Sequence, residues 1–170
     1  GSHRKATELL QPLQSSFCLE PKAGFSMTEF TINLPATSAN LGPAFDAAAL
    51  AMDLSLRIRA TRGKQYSINA SGHDPDICGN VENHLILTTY QEVLAEQNKP
   101  APALSLNIHS GFPIGKGLGS SAAARLAGIA LAVHFGRLKW NSACIIGEAS
   151  KREHHPDNAA ACWMGGVTVA

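Results

Sequence analysis

The sequence predicts an α+β fold: an antiparallel-rich sheet with helices packed on one side. Three observations carry this. Short segments alternate apolar and polar residues with a strand's period of two, as in Thr28 to Leu34, where Phe30, Ile32 and Leu34 share one face. Longer segments repeat apolar residues at helical spacing, as in Leu126, Ile129, Ala130 and Val133. The strands alternate rather than running apolar throughout, which suits a sheet covered on one face only.

In chain order, Gly1-Ser2-His3 reads as a tag remnant, followed by a short helix over Lys5 to Gln11 that Pro12 stops, then a linker containing Ser and Pro. Thr28 to Leu34 is the first strand and Pro35 to Asn40 a loop. Gly42-Pro43 opens an alanine-rich helix through Met52. Leu54, Leu56, Ile58 and Ala60 alternate with polar residues and give a second strand; Tyr66, Ile68 and Ala70 give a third. Residues 71–82 read as loop from their Gly, Asp and Pro content. Asn83 can cap a helix carrying Leu87, Tyr90 and Leu94, which ends before Lys99-Pro100. Leu104, Leu106 and Ile108 form a fourth strand. A glycine-rich turn then enters a helix that stops at Gly136, and Asn141 or Ser142 caps another through about Arg152. His155-Pro156-Asp157-Asn158 reads as a turn, the alanines after it as helical or extended, and Gly165-Gly166 leads into a last strand. No internal repeat is visible.

Composition narrows the function classes. With 170 residues, 45% hydrophobic and 16% charged, the chain can bury one comfortable core. A net charge of +1 gives no electrostatic reason to expect nucleic acid or an acidic membrane surface. No stretch has the ~20 apolar residues of a membrane span, and no signal-peptide pattern is present. Cys18, Cys78, Cys144 and Cys162 are scattered without CxxC spacing, so they read as reduced thiols of a cytoplasmic protein. The seven histidines form no zinc pattern.

Chemistry concentrates in Pro113 to Gly128, PIGKGLGSSAAARLAG. Gly115, Gly117 and Gly119 permit a tight turn and close approach to a ligand. Ser120 and Ser121 are good N-cap residues, and the helix that follows presents unpaired N–H groups and a positive dipole end. Such a helix mouth suits a phosphate. The stretch fits neither GxxxxGK[ST] nor GxGxxG, so the residues alone leave a phosphate loop and an ordinary capped loop both open.

Three motifs in order resemble the GHMP kinase family. GKGLGSSAAA is similar to its phosphate loop; PATSANLGPAFD (35–46) and EHHPDNAAACWMGG (153–166) are similar to motifs of its homoserine kinase branch. The resemblance implies the fold of the GHMP N-terminal domain, shared with a domain of a small-subunit ribosomal protein. It implies ATP and Mg²⁺ as cofactors and phosphorylation of L-homoserine. It further implies that Met27 is a native start, that 1–26 are tag, linker or fusion sequence, and that 27–170 are the first of two domains, weakly active or inactive alone. Expected partners are ATP and L-homoserine, with no nucleic acid and no membrane; a homodimer is left open.

The same resemblance assigns roles to residues. Lys116, Gly117, Leu118, Gly119, Ser120, Ser121 and Ala122 would meet the phosphates, and Asn83 the adenosine side. Ser120 or, preferentially, Ser121 would meet the metal with Glu153, which is favoured over Glu148. Asn40, Asp46 and Asn158 would hold the substrate. Glu153 and Asn158 are the catalytic candidates, with Asp157 a weaker one as general base, since the family picture is direct attack by the substrate hydroxyl without a dedicated base. Ala44, Ala49, His154 and Ala161 depart from the family pattern, the first two beside the acceptor motif.

Overall fold

In the computed structural model, which describes residues 28–39, 48–153 and 156–169, the alternating segments assemble into one five-stranded sheet. The strands are β1 (Glu29–Ala39), β2 (Ala48–Arg62), β3 (Ser67–Gly72), β4 (Leu104–Ser110) and β5 (Val167–Val169). Their order is β1-β2-β4-β3, with β5 also pairing β2. Contacts of β2 with β1, β4 and β5 are antiparallel, whereas β3 and β4 run parallel. A parallel pair needs a crossover, here supplied by α1 (Pro75–Gly79) and α2 (Leu85–Glu96). The remaining helices are α3 (Ser120–Gly136), α4 (Ser142–Arg152) and α5 (Pro156–Met164).

Alternation decides which face is covered. Phe30, Ile32 and Leu34 of β1, Ile58 and Ala60 of β2, and Leu104, Leu106 and Ile108 of β4 are buried with Leu126, Ile129 and Ala130 of α3 in one core. Their strand neighbours Thr31, Arg57, Arg59, Asn69, Asn107 and His109 surround a shallow polar concavity on the open face. Gly128 lets α2 and α3 approach closely, since a Cβ there would lie 2.6 Å from the Ile86 carbonyl oxygen. Arg152, its side chain 13% exposed, ties α4 to α2 through Glu92 at 2.7 Å and Glu96 at 2.6 Å, and also bonds Glu148.

Several expectations are corrected. Ala48 to Met52 are not helical: they open β2, with Ala48–Leu50 paired to Val167–Val169 and Ala49–Ala51 to Thr37–Ala39. Partners on both sides override the alanines' preference for helix. Residues 71–82 are not all loop. They contain the end of β3 and α1, whose Pro75 sits at the first helical turn, where a missing N–H costs nothing. Asn83 is not the cap of α2; His84 is, and Asn83 precedes it with φ of 54°. Neither serine caps α3, because Gly119 does so at φ 67°. Pro156, Asp157 and Asn158 are the first turn of α5, not a separate turn. The helix over Lys5 to Gln11, residues 42–47 and Met27 lie outside the described residues.

Candidate active site

Strand β4 delivers the chain to Phe112, and the glycine-rich turn returns it to α3. Gly115, Gly117 and Gly119 have φ of 70°, 73° and 67°, a region L side chains avoid. Three bonds fix the turn. The Ile114 N–H donates to Asp74 Oδ2 at 2.8 Å, the Gly115 N–H to Ser120 Oγ at 3.3 Å, and the Thr37 N–H to the Leu118 carbonyl at 3.0 Å. The backbone N–H groups from Lys116 to Ala122 reach no acceptor among the described residues. They gather at the positive end of a 17-residue helix. Lys116 is exposed and pairs with no described residue.

The two serines separate in role. Ser120 closes the loop, whereas Ser121 Oγ donates to Glu153 Oε1 at 2.6 Å. The same Oε1 accepts from Arg125 Nε at 2.6 Å. Glu153 terminates α4 in extended geometry, so its carboxylate leaves the helix and reaches the mouth of α3; its side chain is 11% exposed. Glu148 turns elsewhere, to Lys151 and Arg152.

Beside this pair, Thr37 Oγ1 donates to Asn158 Oδ1 at 2.6 Å, and both adjoin Gly119. A Cβ on Gly119 would fall on Thr37 Oγ1 and lie 3.4 Å from Asn158 Oδ1. Asp157 is fully buried; its Oδ1 accepts from the Asn158 N–H at 2.8 Å and its Oδ2 has no partner among the described residues. A carboxylate in the first turn of α5 also meets the positive helix end. Asn40 and Asp46 lie outside the described residues.

The other flank of the loop opens on a cavity of about 660 Å³. Ile86, Ile108, Phe112 and Ile114 line it with Asn83, Ser120 and Ser121, so Asn83 shares a space with the loop serines. His84 lines it too: its ring Nε2 pairs with the Cys78 carbonyl at 3.1 Å, and burial pushes its pKa down despite that bond. A large apolar recess beside a cluster of N–H donors can hold a flat base on one side and phosphates on the other. Among the described residues no three His, Cys, Asp or Glu side chains gather as a metal cage. A hard cation fits the hydroxyl and carboxylate oxygens of Ser121 and Glu153, provided phosphate oxygens and water complete its shell.

Thr37, Asp74 and Arg125 were not foreseen as parts of the site. Thr37 lies inside the PATSAN stretch and Asp74 in HDPD, both polar-turn signals; Arg125, in an alanine-rich helix, gave none.

The fold and loop define a class. Residues 84–166 match the family model for the GHMP kinases N terminal domain. The chain belongs to the GHMP kinase family and has the fold of its N-terminal domain. Curated relatives match most of this chain. A homoserine kinase of Solibacter usitatus is 40% identical over 141 residues, covering 83% of this chain and 46% of the relative. One of Sulfurovum sp. is 37% identical over 139 residues, covering 82% and 48%. Among solved structures, the homoserine kinase of Cytophaga hutchinsonii superposes with TM-score 0.69 at 21% identity, over 84% of this chain and 48% of that one. The Methanococcus jannaschii mevalonate kinase gives 0.64 at 18% identity, over 82% and 52%. These two show the shared fold. The chain spans about half the length of the curated relatives it matches.

Proposed function

We propose that this chain is the nucleotide-binding half of an ATP-dependent kinase that converts L-homoserine to O-phospho-L-homoserine in the cytoplasm. The observation that carries the reading is the meeting of Ser121 and Glu153 at 2.6 Å beside the unengaged N–H groups of α3. Phosphoryl transfer asks mainly for positioning and charge neutralisation, which such a constellation provides.

In this reading the N–H groups from Lys116 to Ala122 hold the phosphates, with Lys116 as an added point charge. The base occupies the apolar recess beside Ile86 and Phe112, with Asn83 at its rim. Ser121 and Glu153 would hold magnesium, whose chemistry is to neutralise and bridge phosphate oxygens. Thr37 occupies Asn158 Oδ1, which leaves the Asn158 amide NH₂ to donate to the acceptor or to the phosphate in transit. Asn40 and Asp46 are proposed to grip the amino acid, the Asp46 carboxylate accepting from the substrate's ammonium group. The acceptor hydroxyl attacks the γ-phosphorus of ATP directly as the bond to the β–γ bridging oxygen breaks and ADP leaves, the hydroxyl proton passing to the transferred phosphate. The enclosed Asp157 suits anchoring the first turn of α5 better than serving as a base.

A coupled ADP-release assay tests the acceptor. L-homoserine should give turnover above mevalonate and sugars in a protein carrying this chain within a relative's full length. Preference for another alcohol would reassign the substrate within the family. The 170 residues alone should turn over weakly or not at all, since the relatives are about twice as long.

A further inference from the structure

We propose that Arg125 is a positioning residue that keeps Glu153 from taking a divalent cation until the nucleotide is bound. The inference rests on reading Ser121 and Glu153 as the metal pair. Glu153 Oε1 receives two donors at 2.6 Å, the Ser121 hydroxyl and the Arg125 guanidinium. Both ends of the ion pair are partly shielded, with side chains 26% exposed for Arg125 and 11% for Glu153. Attraction between them is therefore screened less than on an open surface. A cation arriving alone meets a carboxylate already neutralised, with a fixed positive charge touching the oxygen it needs. The neighbouring charge on the loop is Lys116, which is also positive.

Nucleotide phosphates reverse this balance. They bring several negative charges to the mouth of α3, so a metal arriving with them gains ligands as well as Glu153. The guanidinium also gains an alternative anion. Arg125 stands four residues after Ser121, hence on the same side of α3 and about one turn further along the helix from its mouth. Arg125 thereby makes metal loading depend on nucleotide, without being needed to bind the nucleotide itself.

The test is Mn²⁺ binding to the full 170-residue chain without nucleotide, followed by electron paramagnetic resonance. Wild type should bind Mn²⁺ weakly. Arg125→Gln and Arg125→Met should bind it about tenfold or more tightly, because a contacting positive charge is gone. Adding Glu153→Gln to either should abolish the gain. Arg125→Lys keeps the charge and should stay within about twofold of wild type on the same reasoning. Melting curves establish that each variant is folded. Neutral variants that bind Mn²⁺ no better than wild type overturn the proposal, as does a tighter-binding Arg125→Lys. The metal-pair reading is tested separately: if Glu153→Gln leaves MnATP affinity unchanged, Glu153 holds no metal, whatever Arg125 does.

Discussion

Thr37 Oγ1 lies 2.6 Å from Asn158 Oδ1, joining residues 121 positions apart. Thr37 is fully buried at the end of β1, and its N–H also holds the Leu118 carbonyl of the glycine loop. One threonine thus fixes the glycine-rich loop and the first turn of α5 relative to each other. The sheet aligns two motifs that are remote in sequence.

Thr37→Val keeps the shape and removes the hydroxyl. It should cost about 1–2 kcal/mol, because Asn158 loses a partner in a partly buried site. The melting temperature should fall by several degrees, and Thr37→Ser should recover most of it. Equal losses in both variants would place the effect in packing rather than in the bond.

Gly119 and Gly117 make a controlled pair. Both have positive φ, so an alanine at either costs about 1–2 kcal/mol of backbone strain. Only at Gly119 does the new Cβ strike Thr37 Oγ1; at Gly117 it meets nothing within 4 Å among the described residues. Gly119→Ala should therefore be clearly the less stable in urea denaturation and should lose MgATP stabilisation. Indistinguishable midpoints would contradict the loop geometry.

Stability should fall below neutral pH. His84 and His134 both have pKa values pushed below 6.5, chiefly by burial, with Arg62 adding to the effect at His134. Because the folded pKa values are the lower ones, the unfolded chain takes up protons first as pH drops. Their contribution is complete above pH 6.5 and is lost as pH falls through the lowered folded values. Melting temperatures from pH 7.5 to 5.5 should show this slope, and His84→Gln should flatten part of it.

Arg152→Met should destabilise by about 1–3 kcal/mol by removing charged hydrogen bonds between α4 and α2. Two of its partners, Glu92 and Glu96, are about half exposed, so high salt should shrink the difference from wild type. Salt-dependent urea midpoints measure this.

Much of this arrangement was legible in the residues. Period-two alternation located the first half of β1, the central part of β2, β3 and β4, and the glycines with Ser120 and Ser121 located the mouth of α3; Pro35 to Ala39, read as loop, continue β1 beside β2. Residues 48–52 were misread because alanine-rich local preference says nothing about the strands that flank it on both sides. Residue spacing also could not show that Gly119, rather than a serine, caps α3, since that depends on a left-handed φ. Arg125 stayed hidden because its partner lies 28 residues away at the end of another helix. Family resemblance favoured Glu153 over Glu148; the fold adds that one faces Ser121 and the other Arg152.

The most direct measurement is calorimetric titration of the chain with MgATP, wild type against Gly119→Ala. Amides at the mouth of α3 that hold a nucleotide's phosphates should give saturable binding to wild type, accompanied by a rise in melting temperature. Binding should be lost or strongly weakened in the variant, with AMP a poor substitute for ATP. No binding by folded wild-type protein, or equal binding by both, would contradict a phosphate site at this turn.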